Sequence, residues 1–376
     1  MAAPASLEAV VGPDARDRFP QVKGAGPVVA PTSPEEVAAV LRAASEHGLR
    51  VLVWGGGTHQ GLGHHLDPDV VLVTADLNRL VDWQPEDLTV VVEGGMTVAQ
   101  LESTLAGQGQ TAVLPEAPGA GTVGGAVASG ASAMRRLRYG PTRDRVLEVT
   151  IATGDGRLVT AGGRVVKNVT GYDIPRLATG SLGALGVIVS ICLKLWPLPA
   201  HTATIPVDDP VAAFRIAYRP LAVMETAAGS AVYVAGTAEE VAAQAADLGG
   251  EAAPGLAWPV PPSRGHVLVL RVPPASTAAA VERVRALGSD VAFKAAHGVG
   301  EVVLGVDSPD FAALRDLRGW AESLGGALVT AVAPAETREV FDPWGTPPPT
   351  VDLQRRVKAA FDPAGVVNPG RLPGRI

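Results

Sequence analysis

Three glycine-rich turns constrain this chain more than any other feature of its sequence. They are Trp54-Gly55-Gly56-Gly57-Thr58-His59 behind the run LRVLV, the stretch Gly119 to Gly130 (GAGTVGGAVASG) behind LPEAP, and Gly180-Ser181-Leu182-Gly183-Ala184-Leu185-Gly186 ahead of Val187-Ile188. Without a Cβ, main chain can approach a ligand or another segment closely, and neighbouring N–H groups can converge into an anion nest. A pyrophosphate suits such a nest. Close packing of main chain on main chain, with no ligand, suits the same residues.

Within the second turn, Gly119, Gly121 and Gly124 spell G-x-G-x-x-G, the pattern of a nicotinamide dinucleotide site. That site needs a strand before it, a helix after it and an acidic residue about twenty positions on. Here Pro115-Glu116-Ala117-Pro118 precedes it and the basic, turn-like RRLRYGPTRD follows, so a nicotinamide site is not expected.

Composition narrows the classes further. A length of 376 residues favours two domains. The 44 glycines and 32 prolines, interleaved with Val- and Ala-rich runs, predict a folded chain with many loops. A net charge of −7 gives no electrostatic case for nucleic acid. One cysteine, Cys192, excludes an internal disulfide framework, and an iron–sulfur cluster or Cys-rich zinc site held by this chain alone. The first residues carry no signal-peptide pattern, and no run approaches the ~20 apolar residues of a membrane span. A cytoplasmic protein, reaching a membrane only peripherally through a complex, is the expectation.

Local signals give a coarse map. Thr32-Ser33-Pro34-Glu35-Glu36 starts a helix that Gly48 ends. LRVLVW, VVLVT (70–74) and LTVVVE read as strands, and TVAQLESTLAGQG as a helix capped by Thr97. Residues 145–162 read as a hairpin turning at Gly154-Asp155-Gly156, which supplies positive-φ positions. Beyond Pro199, short strands alternate with Ala-rich helices, which suggests a second α+β domain. The proline-rich DPWGTPPP then leads to a last helix, VDLQRRVKAAF, and the tail DPAGVVNPGRLPGRI.

Taken together, the GGGT turn, LPEAPGAGTVGGAVASG, and KNVTGYDIPRLATGSLGALGVI resemble the FAD-binding domain of PCMH type, the vanillyl-alcohol-oxidase-like flavoproteins. With FDPAGVVNPGR in the tail, these segments are most similar to the smaller flavin subunit of bacterial glycolate oxidase. The resemblance implies an α+β architecture: an FAD-binding domain of two α/β subdomains (23–199), a smaller α+β cap domain (200–345), and a C-terminal segment (346–376) returning to the flavin site. It implies an FAD held by Gly55, Gly56, Gly57, Thr58 and His59 in the first turn, and by Thr122, Gly125, Ser129, Gly130 and Ser132 in the second. Some relatives attach flavin through a histidine in the first turn; here Thr58 stands between the glycines and His59, so non-covalent FAD is expected, with a bond to His59 as the alternative. The main chain at Val187–Ile188 would meet the adenine region, and Asn368 would come from the tail. Arg135, Arg136 and Arg138 could add positive charge nearby or lie on a solvated surface.

The implied activity is oxidation of glycolate or a similar 2-hydroxy acid, which needs a cation for the carboxylate and a base for the hydroxyl proton. Catalytic relatives carry an H-x-G-D-G-x-x-H type motif; His297-Gly298-Val299-Gly300 lacks its acid and second histidine, so no metal site is expected. Two readings follow. The chain is a flavin subunit passing electrons between a larger catalytic flavin subunit and an iron–sulfur subunit. Alternatively it is a stand-alone 2-hydroxy-acid (D-lactate-type) dehydrogenase, with Lys167 or Arg371 on the carboxylate and Tyr172 or His297 on the proton. The UDP-sugar reductase branch of the same fold is a further alternative.

Overall fold

The computed structural model describes residues 11–24, 26–116, 119–164 and 171–376. These form two compact units. The first runs up to Ala133 and adds Pro141–Pro197 and Pro347–Ile376; the second combines Met134–Gly140 with Leu198–Thr346.

The first unit holds two sheets. Strands β1 (Val28–Val29), β2 (Val51–Trp54) and β3 (Val70–Val73) pair in parallel in the order β1-β3-β2. Helix α1 (Pro34–His47) buries Val37 and Leu41 on one face of this sheet, while Phe19, Leu52, Trp54 and Val73 pack on the other. Cover on both faces explains why VVLV is apolar without alternation. Ser33 caps α1 by accepting the Glu36 amide (3.2 Å), and Gly48 ends it in the left-handed region.

The second sheet is antiparallel. Strands β4 (Leu80–Gln84), β5 (Thr89–Glu93), β7 (Val146–Ala152), β8 (Leu158–Gly162) and β9 (Val187–Lys194) run in the order β4-β5-β9-β7-β8, and β6 (Gln110–Thr111) stands apart, paired with Trp196–Pro197. Helices α2 (Val98–Ala106) and α3 (Val123–Ser129) cover one face. The β7–β8 hairpin forms where expected, with Gly156 taking the positive φ of the turn (+76°). Strand β9 has no polar alternation and buries six of its eight residues, so only its apolar run was visible in sequence.

The C-terminal tail joins the parallel sheet. Val51 donates its amide to the Val366 carbonyl (2.8 Å) and its carbonyl accepts the Asn368 amide (2.9 Å), which seats 366–368 along the free edge of β2. A buried ion pair holds this segment: Lys358 Nζ donates to Asp362 Oδ2 (2.6 Å) and to the carbonyls of Ala184 and Val367 (2.8 Å each).

The second unit is one eight-stranded antiparallel sheet with helices Pro210–Ile216, Ala238–Leu248, Thr277–Arg285 and Phe311–Ser323. Strands at Ala222–Thr226 and Ala292–His297 lie side by side in it. The segment Met134–Gly140, expected in the flavin domain, clusters here. Among the described residues, no helix is long and apolar enough to cross a membrane.

Candidate functional site

A cleft in the first unit gathers the ends of several of these elements. It is lined by the loop after β2, by Thr74 after β3, by Gly94 after β5, by α3, by residues 182–188, and by Asn368 and Arg371.

The first glycine turn is held by contact rather than by freedom alone. A side chain on Gly56 would overlap the Ala120 carbonyl, and one on Gly55 would meet the Thr122 hydroxyl at 2.5 Å. Gly57 takes a positive φ (+76°), and its missing Cβ lies over the Trp54 ring. Among the described residues, the amides of Gly56, Gly57, Thr58 and His59 meet no acceptor. The buried Trp54 indole N–H, just under Gly57, also lacks one. A row of unfilled donors with no side chain over them is what a diphosphate group requires.

The second turn is bonded differently from the first. Thr122 caps α3, its hydroxyl accepting the Gly125 amide at 3.1 Å. The Val123 amide donates to Met96 and that of Gly124 to Gly94, both at 2.8 Å. The amides of Val123, Gly124 and Gly125 are therefore already used inside the protein. Gly125 and Ser129 line the cleft, whereas Thr122, Gly130 and Ser132 do not. Gly130 ends α3 in the left-handed region, and the Ser132 hydroxyl accepts the Thr142 amide (3.4 Å). These three residues shape the wall without facing its interior.

The opposite wall places Val187 and Ile188 at the cleft, together with Leu182, Gly183 and Gly186. Asn368, 1% exposed, accepts the Val53 amide (2.9 Å) and donates to the Leu182 carbonyl (2.8 Å). It joins two walls, using its side-chain carbonyl and one of its two side-chain N–H donors. Arg371 is also buried and gives its guanidinium to the loop: Nη1 to Gln60 Oε1 (2.9 Å), Nη2 to the carbonyls of Gln60 (3.1 Å) and Leu62 (2.9 Å). Both terminal nitrogens are thus directed at the loop. Burial pushes the His59 imidazole below its ordinary value, so it is neutral near pH 7, and its Nδ1 stands 3.0 Å from the Thr58 hydroxyl.

The other catalytic candidates do not meet here. Tyr172 is 90% exposed, and Lys167 lies outside the described residues. His297 belongs to the second unit, where its Nε2 is 2.6 Å from Glu225 Oε2, with Arg285 on the other carboxylate oxygen (2.8 Å). Burial raises the Glu225 pKa, but bonds from His297 and Arg285 outweigh it and hold the carboxyl below its usual range. Arg138, also in the second unit, donates to the Arg219 carbonyl (2.6 Å).

Sequence reasoning missed Val53, Gln60, Thr74 and Gly94 among the lining residues. Gly94-Gly95 behind the Val-rich β5 repeats the strand-then-glycine signature of the first turn and could have been read the same way.

Residues 25–162 match the family model described as an FAD binding domain. A D-lactate dehydrogenase of Archaeoglobus fulgidus is 34% identical over 191 residues, covering 50% of this chain and 41% of that one. Glycolate oxidase subunit GlcD of Bacillus subtilis is 31% identical over 182 residues, covering 47% and 38%. The chain thus matches less than half the length of these relatives. A solved alkyldihydroxyacetonephosphate synthase shares the fold over 95% of this chain and 79% of its own, with a TM-score of 0.68 at 17% identity.

Proposed function

With residues 25–162 an FAD-binding domain, we propose that this chain is the FAD-carrying subunit of an oxidoreductase of the glycolate oxidase type, which converts a small 2-hydroxy acid to its 2-oxo acid. The observation that carries the reading is the row of amides from Gly56 to His59, unfilled among the described residues and belonging to residues that line a glycine-rich cleft. When bound, FAD would supply the redox centre that takes up and passes on the electrons drawn from the hydroxy acid.

The chain's own residues bind and orient. Amides 56–59 take the diphosphate, and Leu182, Val187 and Ile188 exclude water from the adjoining wall. Asn368 keeps the two walls at a fixed separation.

Several side chains support the reading as a subunit that hands electrons to an iron–sulfur partner while a larger flavin subunit handles the substrate. Arg371 is committed to the loop, Tyr172 is exposed, and His297 is committed to Glu225. The likeness to a D-lactate dehydrogenase favours a second reading, a stand-alone dehydrogenase. Mixing the isolated FAD-loaded chain anaerobically with glycolate or D-lactate separates them. Persistent visible flavin absorbance fits the subunit, and fast bleaching fits the dehydrogenase. A chain that takes up no FAD overturns both.

A further inference from the structure

Arg371 stands more than 300 residues downstream of the first glycine turn, yet it holds both ends of the segment that continues that turn. Its guanidinium takes the Gln60 side chain and the carbonyls of Gln60 and Leu62, while its own carbonyl accepts the His64 amide (3.4 Å). Gln60 in turn donates to the Val53 carbonyl (2.9 Å), tying the segment to the end of β2. A planar guanidinium presents donors in a fixed fork and can satisfy several carbonyls at once, which an ammonium cannot do with the same geometry.

The rest of the tail is anchored independently. Lys358 and Asp362 fix it to Ala184 and Val367, and Asn368 fixes it to Val51, Val53 and Leu182. Removing the guanidinium therefore leaves the tail seated and releases the loop. A glycine-rich loop released in this way samples many main-chain states, and ligand binding must then order it.

We infer that Arg371 is a positioning residue: it presets the loop that bears the Gly56–His59 amides, so that the cofactor meets an ordered nest. The inference rests on the FAD reading of the cleft. It also means that the nucleotide site is completed by the tail, far outside the 25–162 match.

The test compares FAD dissociation constants, measured by flavin fluorescence on apo-protein, for wild type, Arg371→Gln, Gln60→Leu, the double variant and Lys358→Met. Arg371→Gln should raise the constant about tenfold or more while the apo-protein unfolding midpoint changes little. Gln60→Leu, which leaves the tail untouched, should raise it less. The double variant should lose less than the sum of the singles, because both remove one shared bond. Lys358→Met should lower the midpoint while the folded protein keeps its FAD affinity. An unchanged constant in Arg371→Gln, or strict additivity with Gln60→Leu, overturns the positioning role and leaves the FAD reading standing. If Arg371→Gln does not fold, an unchanged constant in Gln60→Leu overturns it. Absence of FAD binding by the wild type overturns both.

Discussion

Gly124 donates its amide to the carbonyl of Gly94 over 2.8 Å, and a methyl on Gly124 would stand 2.7 Å from that same oxygen. A side chain on Gly94 would in turn overlap the Ile188 carbonyl. Three elements, β5, α3 and β9, thus approach one another through glycine at the cleft. In Gly124→Ala, the gain of about 1 kcal/mol from helix propensity competes with an overpacking cost of about 1–3 kcal/mol. The overpacking should win because main chain, not a flexible side chain, is in the way. A lower denaturant midpoint for the apo-protein, together with weaker FAD retention, is the expected outcome.

Lys358 and Asp362 are 7% and 1% exposed, and burial pulls the lysine pKa down while the aspartate opposes it. Lys358→Met leaves Asp362 as an uncompensated buried charge and should cost about 3–5 kcal/mol. Lys358→Met combined with Asp362→Leu should recover much of that loss. Urea unfolding of the three proteins checks both statements, and a single variant as stable as wild type would show that the pair does not clamp the tail.

The His59 imidazole has a folded-state pKa below its ordinary 6.5 because it is buried. The unfolded chain therefore binds more protons just below that value, so apo-protein stability should fall as pH drops from 6.5 toward the folded pKa. His59→Gln should remove that part of the slope and leave the carboxylate-driven part at lower pH. Unfolding midpoints of the two proteins across pH 5 to 7 measure the difference.

In the second unit the buried His297 pairs with the partly buried Glu225, which also takes the half-exposed Arg285. His297→Asn should lose about 1–3 kcal/mol through an imperfectly satisfied Glu225 and leave the flavin-to-protein ratio unchanged. A large fall in turnover of the assembled enzyme at normal stability would instead give His297 a part in the chemistry.

What the sequence revealed was local and periodic. Ser33 before Pro34-Glu35-Glu36, the Thr97 cap and the turn at Gly156 each follow from short-range rules, and each formed where those rules put it. The three glycine turns were also visible as a group. Their division of labour was not, because it depends on which amides are already bonded across the fold. Gly124 and Gly125 look as free as Gly56 and Gly57 in sequence, but Gly94 and the Thr122 hydroxyl take their donors. Likewise Arg371 reads as a cation available to a substrate until the Gln60 and Leu62 carbonyls, more than 300 residues away, are placed beside it.

That division of labour is the most direct test of the account. Hydrogen exchange of the apo-protein should show fast amides at Gly56–His59 that become protected when FAD is added. Amides at Val123–Gly125, already bonded within the fold, should be slow before and after. Protection confined to 122–132 with no change at 56–59 would contradict the assignment of the diphosphate nest to the first turn.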